Sequence, residues 1–408
     1  MRVLHIWKSD FLGGGGGAIT MYRLHSGLRS AGIDSKILCE RKTTESAHVT
    51  VIPRRRKVEA WLKKVTSRLG LNDIHCVSSF RISSNSEYLD ADIVHIHGIH
   101  SGFFSYLALP KLTRDKPTVF TTHDMWPMTG HCAINYDCER WEIGCGKCPY
   151  LDAHPSIQRD GTSIEWKLKN WVYKRSNLTI VSPSSCYAAR AKQSMLSRFS
   201  IHHIPNGVDT EIYYPRDPDL CRSVLGISPG KRVLMFAALL LNQFNKGGDL
   251  LLKALQRLPE SLKNETTLLL LGNKGQAVAE AVGMQAVDLG YIGSDHLKTI
   301  AYSAADVFVS PTRAEAFPLV LLESSACGTP VVSFNVGGVP DIVRPGVTGY
   351  LAEPEDANDL SRGIVQLLED EDQRNFMSEQ VRFIAQEEYN MPLYVQRHID
   401  LYRKLTTG

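Results

Sequence analysis

The sequence predicts an α/β protein built as two doubly wound domains. Three observations carry that prediction. The chain has 408 residues, too many for one ordinary core and suited to two. Short apolar runs rich in Val, Ile and Leu alternate with stretches of helical periodicity. The runs end in glycine-rich or polar turns, the position where open sheets bind ligands.

Composition narrows the class. Lys and Arg number 46 against 43 Asp and Glu, a net charge of +3, so no strong field for nucleic acid is implied. No run approaches eighteen apolar residues, and no spanning helix is expected. The opening run MRVLHIW reads as a buried strand with no signal-peptide pattern behind it. The expectation is a cytoplasmic enzyme.

The elements follow in order. Val3–Ile6 is a strand, Gly13–Ala18 a glycine loop and Ile19–Ala31 a helix. Strand, glycine loop and helix cradle anions well, because small residues let backbone N–H groups approach a ligand. A dinucleotide fingerprint competes for the same five glycines. Ile33–Leu38 is the second strand. Arg54–Lys57 then leads into a helix over Trp61–Leu71, where Trp61, Leu62, Val65 and Leu69 alternate with Lys63, Lys64 and Arg68. This reads either as a basic amphipathic helix for an anionic membrane surface or as an ordinary solvated face. Ala91–Ile96 is a strand with His95, His97 and His100 at or after its end. Val119–Thr122 is the next, followed at once by His123 and Asp124. A polar pair directly after a buried strand is a cleft candidate, and a satisfied structural histidine is the plainer reading.

Nine cysteines divide unevenly. Cys39, Cys76, Cys186, Cys221 and Cys327 are scattered, as small core fillers are. Cys132, Cys138, Cys145 and Cys148 are clustered, and Cys145-x2-Cys148 is the usual half of a zinc or iron–sulfur site. A reducing compartment disfavours two structural disulfides. One structural zinc, or free or redox-paired thiols, are the open readings; four cysteines would leave no open position for catalysis. The half closes with a helix (Trp166–Tyr173), a strand (Leu178–Val181), a helix (Cys186–Ser194), a strand (Ile201–Ile204) and the turn Pro205–Asp209.

The second half opens with the strand Lys231–Ala237, with Lys246 and Gly247 just before a helix. Thr267–Leu271 and Ala286–Leu289 are strands, and Leu297–Ser303 is a helix. The stretch from Ser310 to Gly349 organises this half. Strand Val307–Val309 delivers the chain to a polar turn carrying Glu315. Phe317–Ala326 is a helix carrying Glu323, and strand Val331–Phe334 runs into Gly337 and Gly338. Pro318 has no N–H, so Phe317 and Leu319 are the amide donors at the helix start, a place suited to a diphosphate. Both glutamates also fit solvated helix positions. Helices over Asp356–Leu368, Glu371–Glu387 and Met391–Leu405 complete the chain.

Glu315-x7-Glu323 within SPTRAEAFPLVLLESSACGTPVV resembles the signature of the retaining GT-B glycosyltransferases of family 4. The resemblance implies two facing doubly wound Rossmann-like domains: an acceptor-side domain over 1–212, completed by the C-terminal helix 391–408, and a donor domain over 213–390. It implies transfer of a sugar from a UDP- or GDP-sugar to a hydroxyl of a glycan or lipid-linked acceptor, with no metal required at the donor site. It assigns Glu315 to the donor sugar, Glu323 to the ribose, and the Phe317 and Leu319 amides to the diphosphate. Lys246 matches the lysine of a phosphate clamp whose usual arginine has no counterpart among Leu239–Asn242. Tyr291 and Ile292 become base neighbours, and Gly16 and Gly17 approach the ligand. His123 lies near the reacting centre, with His97 and Asp124 as acceptor-side candidates. The cysteine segment resembles one in family members that build surface polysaccharides, and the basic helix would bring such an enzyme to the inner face of the membrane. A sugar-nucleotide epimerase or phosphorylase-like enzyme, or a non-catalytic sugar-nucleotide-binding scaffold, are the rival readings.

Overall fold

A computed structural model describes residues 1–11 and 15–407. The chain divides into two compact units, one of residues 1–205 with 394 onward and one of residues 206–393.

The first unit holds a seven-stranded parallel sheet. Its strands are β1 (Arg2–Ser9), β2 (Asp34–Arg41), β3 (Val49–Val51), β4 (Ile93–Ile96), β5 (Thr118–Thr121), β6 (Thr179–Ser182) and β7 (Ser200–His203), in the order β3-β2-β1-β4-β5-β6-β7. The central strands β4, β5 and β6 are buried at every residue, because helices cover both faces of a parallel sheet and leave no solvent side. The strand order reverses between β1 and β4, which opens a crevice at their carboxyl ends. Register sets His5 of β1 directly beside His95 of β4. From Tyr394 onward the helix Met391–Thr407 packs within this unit. Its Val395 fills the space over Gly27, where a Cβ would stand 2.4 Å from the valine methyl.

The second unit holds β8 (Arg232–Leu240), β9 (Thr266–Asn273), β10 (Ala286–Asp288), β11 (Val307–Ser310), β12 (Val331–Phe334) and β13 (Gly349–Ala352). All are parallel, in the order β10-β9-β8-β11-β12-β13. Alternation along β8 supplies two cores. Val233, Met235 and Ala237 join Leu321 and Ala326 on one face. Leu234, Phe236 and Ala238 join Leu251 and Ile364 on the other. Here the order reverses between β8 and β11.

Several expected boundaries move. The helix expected from Ile19 runs over Gly15–Ser30, so Gly16 and Gly17 are its first turn rather than a loop; Gly13 and Gly14 lie outside the described residues. Gly17 is required there because a Cβ would sit 2.9 Å from the Trp7 ring. The basic helix spans Arg56–Arg68 rather than Trp61–Leu71, and Gly70 at φ +70° follows its end. The helix carrying Glu323 starts at Leu319, two residues late, with Pro318 extended at its N-cap. The short edge strands β3 and β13 carry too few residues to show a period in the sequence.

Candidate functional site

In the second unit, Lys246 follows β8 and Glu315 follows β11, and the sheet places both where its strand order reverses. The Lys246 ammonium donates to Glu315 Oε1 across sixty-nine residues of sequence. Two glycines make this approach possible. Gly247 at φ +72° lies against Pro311, whose carbonyl oxygen a Cβ would meet at 1.8 Å. Gly337 at φ +53° lies under Glu315, where a Cβ would meet the glutamate carbonyl at 2.0 Å, and Gly338 N–H donates to that same carbonyl at 3.0 Å. The glycine pair after β12 therefore grips the backbone of Glu315.

Glu323 is buried on the helix Leu319–Ala326 and accepts from the Tyr302 hydroxyl at 3.2 Å. Phe317 is buried against Tyr389, which fixes the chain as it enters the helix. Tyr291 is 53% exposed, whereas Ile292 is partly buried and packs on the core. Arg313 lies inside the organising stretch, and its side chain is committed elsewhere. It forks onto Asp249 at 2.8 and 2.7 Å, donates to the Phe244 carbonyl and stacks on the Phe244 ring. It ties the loop after β8 to the loop after β11.

In the first unit, imidazoles from β1 and from the segments after β4 and after β5 form a chain. His5 Nδ1 lies 2.9 Å from His97 Nε2, and His97 Nδ1 lies 3.2 Å from His123 Nε2. The edge of Trp7 packs on His123, and Gly17 abuts both. Burial pushes His123 down to about 4 against the opposing charge of Asp124, and holds His5, His95 and His97 well below the ordinary histidine value, these three further lowered by neighbouring histidines. The chain is therefore neutral near pH 7. Asp124 turns away from His123 and pairs with His100 at 2.8 Å. Burial acts to raise the Asp124 carboxyl, but His100 and the Trp126 N–H outweigh it and hold it below the usual range. A cavity of about 510 Å³ opens beside these strand ends, lined in part by Trp7, Lys8, Gly98 and His100.

Sequence reading missed His5 and Trp7, although their spacing on β1 matches that of His95 on β4 and His97 just after it, one and the same period-2 face. Ligand-capable atoms of His5, His95 and His97 lie within 4.8 Å of one another. Both nitrogens of His95 and of His97 already have protein partners, however: His95 bonds Tyr402 and Thr121 at 2.6 and 2.7 Å, and His97 bonds His5 and His123, which leaves only His5 Nε2 without one among the described residues. The donor set fits a hydrogen-bonded chain better than a metal centre. Cys132, Cys138, Cys145 and Cys148 are free thiols that line one small cavity together with His131.

Two family models match the sequence. Residues 14–212 match the one described as Glycosyltransferase Family 4, and residues 220–382 the one described as Glycosyl transferases group 1. Among curated proteins, the chain is similar to D-inositol 3-phosphate glycosyltransferase 1 of Catenulispora acidiphila, at 36% identity over 42% of this chain and 44% of that protein. It is also similar to N-acetyl-alpha-D-glucosaminyl L-malate synthase of Bacillus anthracis, at 26% identity over 50% of this chain and 53% of that one. The chain thus spans about half the length of the curated relatives it matches. Among solved structures, sucrose-phosphate synthase from Thermosynechococcus elongatus superposes with a TM-score of 0.71 at 20% identity, covering 100% of both chains. Anabaena Alr3699/HepE in complex with UDP and glucose gives 0.69 at 16% identity, covering 99% of this chain and 100% of that one. At these identities the likeness is one of fold.

Proposed function

The chain belongs to the family 4, group 1 glycosyltransferases and has their GT-B fold, and from that premise we propose that it moves a sugar from a UDP- or GDP-sugar to a hydroxyl of a glycan or lipid-linked acceptor, with retention of configuration. The observation that carries the reading is the Lys246–Glu315 pair at the reversal point of the second sheet, beside the N-terminus of the helix that bears Glu323. Without donor, each neutralises the other. On donor binding, Lys246 passes to the diphosphate together with the Phe317 and Leu319 amides, and Glu315 is released to the sugar. Glu323, steadied by Tyr302, takes the ribose, and Tyr291 and the Ile292 backbone flank the base. Gly16 is exposed at the helix start of the first unit, and Gly17 lets that turn pack on Trp7 and His123. The bond from the anomeric carbon to the diphosphate breaks through an oxocarbenium-like state. The acceptor oxygen forms its bond on the same face, and its proton goes to the departing diphosphate. Preorganised cations and amides stabilise that leaving charge.

The imidazole chain gives His123 a defined role. His5 Nε2 is buried with no partner among the described residues. An interior tolerates a bare acceptor more readily than an unpaired N–H, so His5 carries its proton on Nδ1 and donates to His97. His97 then donates from Nδ1 to His123 Nε2. His123 is left with an Nδ1–H to offer a sugar hydroxyl.

The helix Arg56–Arg68 supports an anionic membrane as partner, and with it a place at the cytoplasmic face. Its buried residue is Glu59, bound to Arg54 and the Ser78 N–H, while Val58, Trp61 and Val65 are exposed among Lys57, Lys63 and Lys64. An ordinary surface helix turns its apolar side inward; this one turns it outward, beside its cations.

The test is nucleotide release from a panel of UDP-, GDP- and ADP-sugars with a membrane-lipid extract as acceptor. Acceptor-dependent release of one nucleotide is expected, falling roughly a hundredfold or more in Glu315→Gln, with the product's anomeric signal matching the donor's. Binding of donors without release across the panel would refute transfer.

A further inference from the structure

The segment that carries Cys132 to Cys148 takes no part in the transfer chemistry, yet it is tightly built. All four thiols are free, and they line a single cavity of about 20 Å³, the space of one small occupant. Successive residues Gly144, Cys145, Gly146 and Lys147 all have positive φ, at 122°, 56°, 94° and 48°. Cys145 and Lys147 adopt a left-handed conformation that side chains disfavour, and such strain persists where the surroundings over-determine it. The knuckle folds so that both Cys145 and Cys148 reach the cavity.

Backbone donors already point at the sulfurs. Gly130 N–H donates to Cys145 Sγ at 3.2 Å, and the Tyr150 N–H acts on Cys148. Such bonds favour a thiolate and oppose burial, which pushes Cys145 up to about 11 and raises Cys148. His131 donates from Nδ1 to the Pro155 carbonyl at 3.1 Å, which leaves Nε2 as the acceptor, 3.4 Å from Cys148 Sγ. Positive charge lies close by. Arg140 lines the cavity, and the buried Lys169 donates to the Thr129 and Trp126 carbonyls, with Cys132 and Cys145 among the charges that act on it. A divalent ion in four thiolates carries a net double negative charge, and these two cations oppose it.

We propose that Cys132, Cys138, Cys145 and Cys148 bind one zinc ion as a closed four-thiolate site that braces this loop, the Cys148 proton that faces His131 Nε2 in the free thiol being released on binding. Thiolate softness selects zinc over hard cations, and four protein ligands leave no open position. No three of the sulfurs lie within 4.8 Å of one another among the described residues. Tetrahedral zinc sets them about 3.8 Å apart, so binding draws the segment inward.

The experiment is elemental analysis of the full-length chain, purified without added metal and again after incubation with zinc under reducing conditions. About one zinc per chain is expected. Cys145→Ser should lower retained zinc roughly tenfold, whereas His131→Ala and the distant Cys39→Ser should keep the stoichiometry. Cobalt substitution of the unaltered chain provides a readout that needs no variant to fold: tetrahedral thiolate absorption is expected. Four thiols that titrate freely with a thiol reagent in the zinc-incubated chain would overturn the proposal. So would a disulfide within the cluster, or iron in place of zinc.

Discussion

Lys246 and Glu315 are each about three-quarters shielded from solvent, and each is the other's counter-charge until a ligand arrives. Partial exposure keeps such a pair a modest contributor to stability, and in the proposed transfer reaction its exchange for donor contacts makes it sensitive to binding. The histidines work in the opposite sense. His25 and His398 are buried, and burial pulls each down to about 4; Arg29 and His48 add to it at His25, whereas the Tyr394 carbonyl partly opposes it at His398. Their folded values lie below the ordinary 6.5, so the unfolded chain takes up protons first as pH falls. The stability they lend is complete above about pH 6.5 and drains away toward pH 4, at roughly 3 kcal/mol for each group. The denaturant midpoint should therefore drop between pH 7 and pH 5, and His398→Phe should flatten that slope. A slope unaltered by the substitution would contradict the account.

At the scale of elements, the helix Arg56–Arg68 turns apolar positions outward. A polar anchor through Glu59, Arg54 and Glu40 holds it to the sheet, and that anchor presents Trp61 at 63% exposure. Full burial of such a side chain in an apolar phase is worth about 2–3 kcal/mol. Trp61→Ala should thus weaken co-sedimentation with vesicles containing anionic lipid by roughly tenfold or more, and zwitterionic vesicles should bind both forms poorly. Equal binding of both forms to anionic vesicles would return this helix to an ordinary solvated role. The turn after β12 shows the same dependence of an element on its neighbour, since Gly337 is needed only because the Glu315 backbone occupies the space its Cβ would fill.

At the scale of the whole molecule, the final helix is part of the first unit's core. Tyr402 is fully buried, and its hydroxyl satisfies His95 Nδ1 at 2.6 Å, more than three hundred residues away in sequence. Tyr402→Phe leaves that nitrogen unpaired and should destabilise the chain by about 1–3 kcal/mol, read as a lower denaturant midpoint; an unchanged midpoint would show that the contact contributes nothing. Most of the architecture was legible from the chain alone. The buried runs at β4, β5, β8 and β11 announce parallel strands because a strand covered on both faces is apolar along most of its length. The turn that carries Glu315 and the helix that carries Glu323 were legible because their spacing is local, set by one turn and one helix. Three things were not legible. Which face of the helix Arg56–Arg68 has something to pack against depends on Glu59 meeting Arg54 and Ser78. The pairing of Lys246 with Glu315 depends on β8 and β11 becoming neighbours. The chain from His5 through His97 to His123 depends on the register of β1 against β4. The sequence determines periodicity, turns and the chemistry of each side chain, all properties of residues a few positions apart. Only the tertiary structure decides which distant side chains meet, because parallel strands joined by crossovers bring together residues whose spacing along the chain carries no periodic signal.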